Sequence, residues 1–129
     1  MNSIKIKPQK SALKADALND IIIDSIQDIK GQGLVKLDLR QLDDAPTDFF
    51  IICEAQSNVQ ARAITDNVQK RLKEEAGVYP SSVEGGGESR WICIDYFYTV
   101  VHIFFDGARQ FYELEDLWSD AIFAEYEDL

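Results

Sequence analysis

From Leu13 onward, apolar residues return every three or four positions, through Ala17, Leu18, Ile21, Ile22, Ile26 and Ile29. This spacing predicts a helix with one buried stripe, capped by Ser11 and stopped by Gly31 and Gly33. The period then changes. Leu34 to Leu39 alternates beyond Val35, as a strand with one solvated face does. Gln41 to Thr47, with Asp43-Asp44 and Pro46, reads as a turn. Phe49-Phe50-Ile51-Ile52-Cys53 is apolar without interruption, the pattern of a central strand covered on both faces. Ser57 followed by Gln60 forms a capping box. The helix it opens puts Val59, Ala63, Ile64, Val68 and Leu72 on one stripe, with Gly77 as its stop and Asp66 and Lys70 four apart on its outer side. Pro80 to Glu84 is a short edge strand, and Gly85-Gly86-Gly87 is a loop. Trp91–Asp95 and Thr99–Phe105, rich in β-branched and aromatic residues, predict a hairpin. Gly107 to Trp118 has helical spacing. The hairpin carries more apolar surface than one covered face uses, so either it lies mid-sheet or one side meets a partner.

The order α-β-β-α-β-β-β-α predicts an α/β (α+β) fold, one mixed sheet of about five strands packed by helices. At 129 residues the chain is long enough for one well-cored domain. Residues 1–10, polar and containing Pro8, are expected to be a flexible lead-in. Residues 11–121 form the domain, and 122–129 are an acidic tail. No apolar run approaches the roughly 20 residues of a membrane helix, and the N-terminus lacks the apolar core of a secretory signal. A cytoplasmic protein is expected. Cys53 and Cys93 stand alone in apolar runs, which favours buried free thiols over a disulfide. A net charge of −10 argues against direct DNA binding and in favour of a basic protein partner. The charge is uneven: Lys5, Lys7, Lys10 and Lys14 precede the first acid, while Glu113 to Leu129 holds seven acids and no base.

Chemistry finds little to stand on. Glu84-Gly85-Gly86-Gly87 lacks the lysine and helix start of a phosphate loop. Asp38, Asp48 and Asp95 sit in or beside strands, where carboxylates can hold Mg²⁺ for nucleotidyl transfer. No two have the close spacing such a site uses, and strand-end carboxylates commonly bond backbone groups. His102 has no nucleophile motif beside it, so a structural histidine is favoured over a catalytic base. With one histidine and no CxxC, a zinc site has almost no ligands. The aromatic cluster from Trp91 to Trp118 is more telling. If some of Trp91, Tyr96, Phe97 and Tyr98 are exposed together, they form a hot-spot patch for a protein partner.

The ordered set Thr47-Asp48-Phe49-Phe50-Ile51-Ile52, Ser57 with Gln60, Ala63-Ile64-Thr65-Asp66, Pro80 with Glu84-Gly85, Trp91-Ile92-Cys93-Ile94-Asp95-Tyr96, Val100-Val101-His102-Ile103-Phe104, Arg109-Gln110-Phe111-Tyr112 and Leu114-Glu115-Asp116-Leu117-Trp118 resembles the ribosomal silencing factors, the Iojap or DUF143 family. The resemblance implies a nucleotidyltransferase-like mixed sheet without that catalysis. It also implies docking on ribosomal protein L14 (uL14) of the large subunit, steric blocking of small-subunit joining, repression of translation, and a homodimer when free. No cofactor is implied. The contact residues it implies are Trp91 and Tyr96 as anchors, with Phe97, Tyr98, Glu84, Asp95 and His102 near the same surface. The alternative is a Mg²⁺-dependent nucleotidyltransferase-like enzyme using Asp38, Asp48 or Asp95. One departure stands out. The family reads Asp-Tyr-Gly-Asp at the hairpin turn, whereas this chain has Asp95-Tyr96-Phe97-Tyr98, so a different or longer turn is expected.

Overall fold

The computed structural model describes residues 2–129, with side chains from Ala15 onward. A six-stranded sheet runs in the order β3-β4-β5-β2-β1-β6, from β1 (Gln32–Asp38), β2 (Phe49–Ala55), β3 (Ser82–Gly85), β4 (Trp91–Asp95), β5 (Thr99–Phe105) and β6 (Ile122–Glu125). Every neighbouring pair is antiparallel except the central one, β2 with β5. Helices α1 (Asn2–Asp28) and α2 (Asn58–Ala76) cover one face, packing Ile22, Ile26, Ile64, Val68 and Leu72 against Ile51, Cys53, Ile92, Ile94, Val101 and Ile103. The short helices α3 (Ala108–Tyr112) and α4 (Leu114–Leu117) lie on the other face, where Ala108 and Leu114 meet Val35, Leu37, Phe50, Ile52 and Phe104. β2 is thus buried on both sides, as its unbroken apolar run requires. The mixed α+β architecture is the expected one, with six strands in place of about five.

Local signals placed α2 well. Ser57 Oγ accepts the Gln60 amide at 3.1 Å, and Gly77 stops the helix in the left-handed conformation at φ 65°. Gln60 does more than a capping box asks. Its Oε1 accepts the Gln56 amide at 2.7 Å, while its Nε2 donates to the Ile29 and Lys30 carbonyls at the end of α1. One side chain therefore serves two helix termini. Val59 is 79 % exposed, so the α2 stripe runs instead through Ala61, Ile64, Thr65, Val68 and Leu72. The ion pairs of α2 centre not on Asp66 and Lys70 but on Arg71, which reaches Glu75 and, across to α1, Asp24 and Asp28.

Other expectations need correction. α1 begins at Asn2, not at a Ser11 cap, so residues 2–10 of the stretch read as a lead-in are helical; Leu13 and the N-terminal lysines have side chains outside the described residues. Pro8 removes one amide donor without ending the helix. The stop of α1 is Lys30, left-handed at φ 64°, with the Gly31 amide bonded back to the Ile26 carbonyl. The single helix expected over Gly107 to Trp118 breaks at Glu113, which takes φ 51°. The first half of the acidic tail is a strand: β6 pairs along β1 from Asp38–Ile122 to Val35–Glu125. Its apolar core, Ile122-Phe123-Ala124, gives it a strand's character despite the flanking acids.

Candidate partner-binding face

Alternation along β4 divides the hairpin into two sets. Ile92 and Ile94 point to the helical side and are buried, whereas Trp91, Cys93 and Asp95 point to the opposite side and are only half-buried. The register assembles that opposite side into cross-strand rows: Glu84, Cys93, His102 and Ile52 in one, Ser82, Asp95, Val100 and Phe50 in the next, with Trp91 beside Phe104. α3 and α4 cover the Phe50–Ile52–Phe104 part of this face. Exposed Glu84 and half-buried Cys93, Asp95 and Val100 lie at its uncovered edge.

Trp91 is held tightly from within. Its ring packs on Phe104 at 5.1 Å and Tyr112 at 4.5 Å, and its Nε1 donates to His102 Nδ1 at 3.1 Å. His102 is only 5 % exposed, set edge-on to the Phe50 ring at 4.5 Å. With Nδ1 accepting, the imidazole proton sits on Nε2, which is buried with no partner among the described residues. Burial pushes the His102 pKa down to about 3 and the Cys93 thiol up to about 11, so both are neutral. His102 is thus a structural acceptor for Trp91, the reading favoured from sequence, and not a contact on the surface.

Tyr96 is the main correction. It is 5 % exposed and belongs to the helix-side core with Ile92 and Ile94, so it lies on the opposite face from Trp91. Burial pushes its phenol up to about 12, and its hydroxyl finds no partner among the described residues. The expected pairing of Trp91 and Tyr96 on one surface does not form. The turn itself is tight. Phe97 itself adopts φ 77°, the Tyr98 amide bonds the Tyr96 carbonyl at 3.0 Å, and Asp95 Oδ1 accepts the Phe97 amide at 2.7 Å. No longer loop is made. A bulky residue occupies a conformation that favours glycine, and its ring stands 73 % exposed.

The three aspartates of the enzyme alternative are not brought together. Asp38 lies on the helix side, bonded through both carboxylate oxygens by Arg40, which holds its pKa below the usual carboxylate range. Asp95 faces the other way and caps the turn. Among the described residues no group of three metal-ligating side chains converges. Cys53 and Cys93 are free and on opposite faces of the sheet. No described helix is long and apolar enough to cross a membrane.

Sequence reasoning missed Arg109, the residue that fastens α3 and α4 to the sheet. Its guanidinium forms a fork on Glu115 at 2.8 and 3.0 Å and donates to the Gly33 carbonyl at 2.7 Å. Gly33 sits at a bulge in β1 with φ 59°, and a Cβ there would run into Arg109 Nη1. Arg109 and Glu115 belong to different helices, so no helical spacing could have paired them.

The His102 environment carries a pH prediction. Its folded pKa lies below the unfolded value of about 6.5, so the unfolded chain binds the extra proton. Stability is therefore full above pH 6.5 and falls as the pH drops toward 3. Urea unfolding at pH 7 and pH 5 should show a loss that sets in above the carboxylate range. His102→Phe should remove that part of the slope; an unchanged slope would refute the assignment.

Comparison with known proteins agrees with this architecture. Residues 12–129 match the profile of the family described as ribosomal silencing factor during starvation. The chain is 34 % identical over 110 residues to the ribosomal silencing factor RsfS of Halalkalibacterium halodurans, covering 85 % of this chain and 92 % of that one. It is 32 % identical to the Bacillus subtilis protein of the same name, over 91 % and 92 % of the two chains. A crystal structure of a Chromobacterium violaceum protein superposes with a TM-score of 0.74 at 32 % identity, covering 81 % of this chain and 85 % of that one. The chain belongs to the RsfS family of ribosomal silencing factors.

Proposed function

We propose that this chain docks on ribosomal protein L14 (uL14) of the large subunit and blocks the small subunit from joining, repressing translation in the cytoplasm. The family supplies the ribosome-associated silencing role. The observation that supports a docking surface here is the uncovered edge of the β3–β4–β5 face: Glu84 exposed, Asp95 half-buried, and the Phe97–Tyr98 tip beyond them. Carboxylates around an aromatic tip suit a basic protein, since complementary charge steers and orients the encounter. In this reading Trp91 supports the face from below and Tyr96 serves the core. The free chain is taken to be a homodimer, which light scattering tests directly.

Co-sedimentation with isolated large subunits, small subunits and assembled ribosomes tests the reading. The expected result is pelleting with large subunits alone, together with loss of subunit joining. Glu84→Lys should leave the unfolding midpoint unchanged and weaken that pelleting severalfold with an altered salt dependence, as reversing a rim charge does. Absence of pelleting with large subunits would overturn the reading.

A further inference from the structure

Beside the hairpin tip, the loop between β1 and β2 leaves a groove of about 460 Å³ whose walls include Leu42, Asp43, Pro46, Asp48, Phe97 and Tyr98. Its two sides are fixed to one another. Thr47 Oγ1 donates to the Phe97 carbonyl at 2.8 Å, and the Phe49 amide donates to the Tyr98 carbonyl at 3.0 Å. Phe97 and Tyr98 meet edge to face at 4.9 Å, forming an aromatic wall whose outer ring is largely in solvent.

The electrostatics of the groove are one-sided. Arg40 is the cation among its lining residues, and its guanidinium is committed to both carboxylate oxygens of Asp38 while lying over the Phe49 ring. Asp43, Asp44 and Asp48 take part in no ion pair among the described residues. An apolar wall beside carboxylates that form no ion pair among the described residues disfavours nucleic acid and suits a cationic side chain that also presents aliphatic surface. Phe97 gains no core packing from its position and holds a left-handed backbone that glycine would adopt without strain. Its ring is available to a partner.

We propose that this groove seats a basic protein segment of the large ribosomal subunit, with an apolar side chain against Phe97 and Tyr98 and a lysine or arginine over Asp43 and Asp48. The inference rests on the large-subunit reading above and adds the β1–β2 loop to the contact surface. It makes the aromatic pair at the hairpin tip an anchor of that contact.

Two variants test it, Phe97→Gly and Asp43→Asn with Asp48→Asn, each followed by thermal unfolding, light scattering and titration into purified large subunits. Phe97→Gly should keep or raise the unfolding midpoint, because the strained backbone is relieved, yet weaken subunit binding about tenfold, as loss of an aromatic anchor does. The double asparagine variant should leave the midpoint in place, weaken binding severalfold and flatten its salt dependence. If the unaltered chain binds large subunits and both variants match it, the groove is not part of the contact and the inference fails while the large-subunit reading stands. If either variant changes only the oligomeric state, the occupant is a second copy of the chain and the inference is overturned. If the unaltered chain does not bind large subunits, both readings fall.

Discussion

Tyr96→Ala is expected to lower the folding stability by about 3–5 kcal/mol, the range for removing a buried aromatic ring from a packed core. The ring is 5 % exposed and packs on the helix side with Ile92 and Ile94. Truncation leaves a cavity that the sheet, pinned by ladder bonds to β3 and β5, cannot easily close. Large-subunit binding by the folded fraction should be retained. Tyr96→Phe should go the other way: the hydroxyl is buried with no partner among the described residues, so its removal should be neutral or stabilising by up to about 1 kcal/mol. Urea unfolding of both variants, alongside pelleting at a concentration where each is folded, separates the roles. An unchanged midpoint for Tyr96→Ala with abolished binding would place the ring on the partner surface and contradict the packing described above.

Arg109→Ala is expected to cost about 2–4 kcal/mol, because it strips the partner from Glu115 and leaves the Gly33 carbonyl without its donor. Arg109 is the more buried member of the pair, 13 % exposed against 32 % for Glu115, so most of the cost lies in the lost fork, the lost packing of the arginine and the unpaired Gly33 carbonyl, while water can reach the Glu115 carboxylate. Arg109→Lys should rescue only a fraction, since an ammonium cannot reproduce the bidentate geometry. Gly33→Ala should destabilise the same joint from the other side, combining strained φ with a clash against the guanidinium. Hydrogen exchange gives the specific readout. Residues 108–118 should lose protection first, uncovering Phe50 and Phe104. Uniform loss across the sheet in place of local loss would show that Arg109 does not act as a joint.

What could be read from sequence was whatever neighbouring residues decide among themselves. Ser57, Gln60 and Gly77 announced α2 because caps are local chemistry, and β2 announced its double burial by being apolar throughout. The opposite faces of Trp91 and Tyr96 were also legible. They stand five positions apart, and strand alternation puts an odd separation on opposite sides. The aromatic composition of the cluster obscured that parity. Other features depend on distant partners. β6 is a strand because β1 offers it a ladder, and Glu113 breaks the expected helix where α3 and α4 fold onto the other face of the sheet. The turn at Phe97 stays short, without the longer loop that was one of the two expectations, because the Asp95 carboxylate and Thr47 hydroxyl hold a conformation that the residue itself disfavours.

The central parallel pair has a consequence for how fast the chain reaches this fold. Each β2–β5 partner, from Phe49 with Thr99 to Ala55 with Phe105, is roughly 50 positions away along the chain, with α2, β3 and β4 between them. α2 and the β4–β5 hairpin can form from nearby residues, but the strands at the middle of the sheet cannot join until that long loop has closed. The β4–β5 hairpin can therefore form before it has a sheet to belong to. Until the loop closes, the facing edges of β2 and β5 are unpaired and apolar, so slower closure leaves newly made chain open to aggregation for longer.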